Sequence, residues 1–178
     1  MLDRHVDYME YALSLAELAL GYTSPNPAVG AVVVRDGIVV GLGHTQTPGS
    51  AHAEVMALQQ AGERAKGGTM FIGLEPCCHY GRTPPCTDAI IDAGISKVHV
   101  AALDPNPLVS GKGIQKLTEV GIEVVIGEYE DKAKEINEGY FKYITTGFPF
   151  VIAKFAMSLD GKISTRDGDS RWISGSDS

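Results

Sequence analysis

Apolar residues at Val6, Met9, Leu13, Ala16 and Leu20 recur every three or four positions, which predicts an opening helix that Gly21 ends. The period then shortens. "AVGAVVV" (28–34) and "IVVGLG" (38–43) are strand-like runs, and the Arg35-Asp36-Gly37 junction between them is a hairpin signal. "HAEVMALQQAG" returns to helical spacing and stops near Gly62, and "TMFIGL" (69–74) is a short buried strand. A helix from Cys86 to Gly94, the strand "KVHVAAL", the helix "GIQKLTEVG" and the strand "IEVVIG" follow in turn. A last helix is predicted over 131–146.

Strands alternating with helices after an initial hairpin predict a three-layer α/β/α fold around a mixed, mostly parallel sheet. The pattern breaks at "TTGFPF". Beyond it "VIAKFAMSLDGKIST" is again strand-like, and the remainder is rich in Gly, Ser and Asp. This stretch reads either as a tail packed on the domain or as the opening of a second domain.

Composition narrows the partners. The 178 residues carry 15 basic and 22 acidic side chains, a net charge of −7, so no basic footprint for nucleic acid is expected. The chain has no apolar run of membrane-spanning length. Charged residues from Asp3 to Glu17 interrupt any signal-peptide core, so a cytoplasmic, reducing setting is the expectation. In that setting crowded cysteines serve metals or catalysis more often than disulfides. All three cysteines fall within "LEPCCHYGRTPPC" (74–86).

His52 and Glu54 sit in "SAHAEV", where Ser50 would cap a helix and place both in its first turn. The strand at 69–74 would deliver Glu75-Pro76-Cys77 to the same end of the sheet, and Cys86 would open another helix, where thiolates are favoured. One imidazole and two thiolates leave a fourth tetrahedral position open, the arrangement of catalytic rather than structural zinc. A carboxylate nearby that is not a ligand can take a proton from zinc-bound water. His-x-Glu followed by Pro-Cys and a second Cys is the signature of zinc nucleobase deaminases. Taken singly, His52 reads as a capping or core histidine, Glu54 as a solvated acid, and His79 as a ligand of a closed site. Adjacent side chains rarely point at one ion, so only one of Cys77 and Cys78 should bind. Eight residues separate Cys77 from Cys86, where common members have two, and the insertion brings His79 and Arg82 beside the metal, as a phosphorylated substrate would require.

"SPNP" (24–27) and "DPNP" (104–107) each hold an asparagine between prolines, which predicts near-extended backbone and a carboxamide ready to meet the amide edge of a pyrimidine. A rigid turn without a ligand reads as well from either stretch alone. "GKG" (111–113) is too short for a phosphate loop.

Together "TSPNPAVGAVVV", "GHTQTPGSAHAEVMAL", "LEPCCHYGRTPPC" and "DPNPLVSGKGIQKL" resemble the bifunctional riboflavin-biosynthesis deaminase/reductase family over essentially the whole chain. The resemblance implies a deaminase domain over 1–146 and the truncated start of a reductase domain over 147–178. It implies hydrolytic deamination of 2,5-diamino-6-(5-phosphoribosylamino)pyrimidin-4(3H)-one, a phosphorylated small molecule, with no nucleic acid or membrane partner and room for a homo-oligomer. Zinc would be held by His52, Cys77 and Cys86, with Glu54 as proton shuttle; Cys78 stands where the family commonly has serine. Asn26, His44, His79, Arg82, Asp104 and Asn106 match positions near the pyrimidine and ribosyl phosphate. Ser170 matches a contact to the reductase substrate, and Ala156 and Trp172 match contacts to NADPH, whose site would be incomplete here. The rival enzyme reading is a cytidine, guanine or tRNA-adenosine deaminase. A zinc-stabilised scaffold that binds a nucleotide without turnover is a second rival, disfavoured by Glu54.

Overall fold

Asp36 and Gly37 both take positive φ (51° and 76°), which makes the two-residue turn that matches the twist of an antiparallel hairpin. It joins β1 (Gly30–Arg35) to β2 (Ile38–His44), with Arg35 opposite Ile38. The structure is a computed structural model and describes residues 7–81 and 83–170. Beyond the hairpin come β3 (Thr69–Ile72), β4 (Lys97–Val100) and β5 (Glu123–Ile126), and the sheet order is β2-β1-β3-β4-β5. The β1 strand is antiparallel to both its neighbours, while β3, β4 and β5 are mutually parallel. Four strands therefore point one way and β1 alone is reversed, the mixed sheet that the alternation predicts. This reversal puts the start of β1 at the same edge as the ends of β3 and β4.

Helix α1 (Tyr8–Glu17) and α5 (Glu130–Ile136) cover one face; α2 (Ala53–Ala61), α3 (Cys86–Asp92) and α4 (Lys112–Glu119) cover the other. Glycines let two of these helices lie flush on the hairpin. A Cβ at Gly30 would stand 1.9 Å from the Ala12 carbonyl oxygen of α1, and one at Gly43 would stand 2.1 Å from the Ala53 oxygen of α2. Neighbouring strand residues face opposite ways, so paired strands can seat α1 and α2 on opposite faces. Between them Val32, Val33, Met70, Ile72, Val98 and Val100 form a fully buried core.

Four expectations change. The opening helix ends at Glu17, short of Gly21, and Leu20 of its stripe is exposed; Val6 lies outside the described residues. Ser50 caps nothing; its N–H bonds the Thr47 carbonyl in a turn, and His52 itself holds the N-cap position. The helix over 131–146 is two, because Asn137 (φ −109°, ψ 22°) breaks it into α5 and α6 (Glu138–Thr146). Its buried carboxamide turns to the backbone of Ala28 instead. The strand-like run after Phe150 forms no strand: it pairs with none of the five strands, and Val151, Ile152 and Phe155 stay exposed in irregular backbone. Among the described residues no helix is long and apolar enough to cross a membrane.

Candidate active site

The sheet edge formed by the end of β3, the end of β4 and the start of β1 collects the reactive residues, and α2 and α3 begin beside it. Leaving β3, the chain runs through Glu75 and Pro76 to Cys77. The eight-residue excursion that follows closes on itself: Cys86 N–H donates to Cys77 Sγ at 3.3 Å, and Thr87 N–H to the Cys77 carbonyl at 3.2 Å. Backbone at the start of α3 thus clasps the first cysteine, so spacing along the chain does not separate the two thiols in space.

His52 completes a triangle. Its Nδ1 lies 3.7 Å from Cys77 Sγ and 3.3 Å from Cys86 Sγ, and the three donor atoms lie within 4.8 Å of one another. Nitrogen and sulfur ligands on one tetrahedral zinc stand about 3.6 Å apart, so the donor set fits the ion in type and in size. The Nε2 edge of His52 faces Thr83 Oγ1 at 3.5 Å, so a proton on that edge leaves the Nδ1 lone pair toward the thiols. The Cys78 thiol points away, toward the Leu108 carbonyl at 3.8 Å.

Electrostatics prime the triangle. The Cys86 thiol, followed by His52 and the Cys86 N–H, hydrogen-bonds Cys77 and holds it well below the usual thiol range. Cys86 is pushed up by the same bond and by burial, so the pair readily releases one proton and keeps the other until a cation arrives. His52 is raised chiefly by its bond to Cys77. Glu54 is buried in the first turn of α2, where the helix dipole favours the anion. Burial wins: together with the nearby Cys77 charge it raises the carboxyl to about 7.

A cavity of about 340 Å³ opens over these groups, of a size for a small molecule. Asn26, His79, Asp104 and Asn106 line it alongside His52 and Glu54. His79 Nδ1 is buried with no hydrogen-bond partner among the described residues. The Asn26 loop is a turn rather than an extended segment, and a turn opens at Asn106, whose carbonyl accepts the Val109 and Ser110 N–H groups. The Asn106 carboxamide is engaged as well, its Oδ1 accepting from the Leu108 N–H at 3.0 Å and its amide hydrogen-bonding the Tyr140 hydroxyl. His44 is not on the cavity wall; its Nδ1 is engaged near the Gln46 amide at 3.2 Å. Ala156 and Ser170 lie exposed on the irregular segment beyond α6, apart from this cavity. Arg82 and Trp172 fall outside the described residues.

Three wall residues were assigned no role from the sequence. Glu75 is buried and accepts four backbone N–H groups: Gly111 and Gly113 at 2.9 Å, Asp104 and Ile114 at 3.3 Å. The "GKG" segment therefore wraps an internal carboxylate that caps α4, rather than a phosphate. An acid directly after an apolar strand and before a proline, Leu74-Glu75-Pro76, was the available clue. Tyr140 and Ile144 reach the cavity from α6, which nothing in the local pattern announces.

An α/β/α sheet whose edge gathers one imidazole, two thiols and a buried carboxylate defines the zinc deaminase class of protein. The chain belongs to that family: residues 2–102 match the cytidine and deoxycytidylate deaminase zinc-binding region. Residues 149–178 match the RibD C-terminal domain. The chain is 58% identical over 177 residues to riboflavin biosynthesis protein RibD of Aquifex aeolicus, covering 98% of this chain and 50% of that protein. Among solved structures, Acinetobacter baumannii RibD matches at 51% identity and a TM-score of 0.89, covering 95% of this chain and 48% of that one. A Thermotoga maritima diaminohydroxyphosphoribosylaminopyrimidine deaminase/5-amino-6-(5-phosphoribosylamino)uracil reductase matches at 45% identity and 0.89, covering 94% and 49%. The chain thus spans about half the length of these three relatives.

Proposed function

We propose that this chain is a zinc-dependent deaminase that converts 2,5-diamino-6-(5-phosphoribosylamino)pyrimidin-4(3H)-one and water to 5-amino-6-(5-phosphoribosylamino)uracil and ammonia. On this reading residues 1–146 form the deaminase, and residues 147–178 open a reductase domain whose NADPH site they do not complete. The observation that carries it is the placement of buried Glu54 beside the His52–Cys77–Cys86 triangle at the floor of a small-molecule cavity.

His52, Cys77 and Cys86 would hold the ion, with Cys78 turned away. Zinc bound there would supply the Lewis acidity that makes water a nucleophile near neutral pH. Glu54 does the proton work. With its carboxyl raised to about 7, it can both accept and release a proton near neutrality. It takes one from the attacking water and passes it to the ring nitrogen beside the amine-bearing carbon; it then takes the second proton from the hydroxyl now on that carbon and delivers it to the amine, which leaves as ammonia. The carbon–nitrogen bond breaks as the carbonyl forms, so water and substrate account for every atom. Asn106, Asn26 and the Asp104 carboxylate line the cavity and are suited to the ring and ribose, and His79 with Arg82 is suited to the phosphate.

The test is ammonia release by the zinc-loaded chain from the diaminopyrimidinone ribosyl phosphate, with cytidine and guanine alongside. Turnover should be confined to the first substrate. Glu54→Gln should keep zinc and lower turnover on the order of 10²-fold or more, as for a lost general base. Equal turnover of cytidine, or an active Glu54→Gln variant, overturns the reading.

A further inference from the structure

Asn137 and Tyr140 stand three residues apart at the start of α6, and each reaches a different asparagine loop. Asn137 Oδ1 accepts from the Ala28 N–H at 2.8 Å, and its Nδ2 donates to the Ala28 carbonyl at 2.9 Å. That double bond pattern anchors the backbone directly after Asn26-Pro27. Tyr140 donates its phenolic hydrogen to the Asp104 carboxylate, 2.9 Å from Oδ1 and 3.2 Å from Oδ2. Asp104 is buried, and its Oδ1 also accepts the Asn106 N–H at 2.8 Å. Residues three apart share a helix face, so one turn of α6 holds both walls of the cavity.

We propose that Tyr140 is a positioning residue for the substrate, acting through Asp104, while Asn137 fixes the opposite wall. The inference rests on the deaminase reading above. A carboxylate has about four lone-pair sites, and the phenol and the Asn106 N–H use part of them. The phenol locks the rotation of Asp104, so the remaining sites face a donor on the ligand: an amino group, a ring N–H or a ribose hydroxyl. Without it the buried carboxylate has lost a donor and is free to turn. Substrate then binds less well, while the proton chemistry at Glu54, which the phenol does not touch, continues.

The experiment uses the zinc-loaded 178-residue chain with Tyr140→Phe, which keeps the ring and removes only the hydroxyl. Tyr143→Phe, exposed on the same helix, is the control. Tyr140→Phe should raise KM about tenfold, the scale of one hydrogen bond to a charged group, with kcat within about twofold. Calorimetry should show the deaminated product binding weaker by the same factor. Zinc content should match the control, and Tm should fall only by the several degrees that one lost donor on a buried carboxylate costs. In an Asp104→Asn background, Tyr140→Phe should add less than about twofold, because the two residues act as one unit. Unchanged KM and product affinity in an active Tyr140→Phe variant overturn the inference alone, as does full additivity in the double variant or a loss confined to kcat. A wild-type chain that releases no ammonia from this substrate overturns the deaminase reading and the inference with it.

Discussion

Gly43 on β2 is where the sheet sets the height of α2, the helix that carries Glu54. A methyl group there would meet the Ala53 carbonyl oxygen at 2.1 Å, the Ala57 nitrogen at 2.7 Å and Met56 Cβ at 2.8 Å. Two of these are backbone atoms that cannot swing aside. Carbon contacts relax near about 3.5 Å, so in Gly43→Ala the first turn of α2 must retreat by roughly 1 Å. Overpacking of this kind costs about 1–3 kcal/mol, and at this chain length each kcal/mol lowers Tm by roughly 2–4 °C. The larger effect is on chemistry, because Glu54 lies in the displaced turn and His52 immediately precedes it. A shift of about 1 Å in a catalytic group can cost about 10²-fold. Ammonia release should fall by about that factor, with weaker zinc retention on dialysis. Gly41→Ala makes the same clash one turn later, 2.1 Å from the Ala57 oxygen. It should lower Tm comparably but spare most of the activity. A Gly43→Ala enzyme within about threefold of wild-type kcat/KM would refute the reasoning.

Cys77→Ser and Cys86→Ser should each lose the zinc that Cys78→Ser retains, read as metal per chain; equal loss from all three would mean a misassigned donor set. Glu75→Gln puts an amide donor against N–H groups that need an acceptor, and a buried unsatisfied group costs about 1–3 kcal/mol; Tm should drop by several degrees on that scale, and KM should rise as the loop bearing Asp104 loosens. An unchanged Tm would sink the capping role. Burial raises the Glu54 carboxyl to about 7, so in metal-free protein the folded chain holds a proton there that the unfolded chain has released. Its contribution is complete below the unfolded value and is lost as pH rises through about 7, on the order of 3 kcal/mol over the window. Cys77 has the opposite sign, because its pKa is lowered. The test is therefore the urea-unfolding free energy of chelated wild type minus that of chelated Glu54→Gln, which should decline between pH 4.5 and 7.5; a flat difference contradicts the account.

Much of this protein was legible because it is local. Period-two and period-3.6 patterns mark β1 to β5 and the helices, and Asp36-Gly37 names its own turn through two positive φ angles. His52, Glu54, Cys77 and Cys86 were readable because a ligand set needs particular residue types at the ends of particular elements, and these ends follow from the same patterns. Other features depended on partners far along the chain. Asn137 breaks a continuous helical pattern only because the Ala28 backbone, 109 residues away, offers its carboxamide a better match than the helix does. Glu75 became a cap through N–H groups 29 to 39 residues downstream. His44, matched to the pocket by motif, turned to Gln46, and residues 151–158 had strand composition but paired with no strand of the sheet. Local periodicity determines which backbone hydrogen bonds a segment can close by itself. Buried polar side chains and lone strands must find their partners elsewhere, and only the folded chain decides which lie within reach.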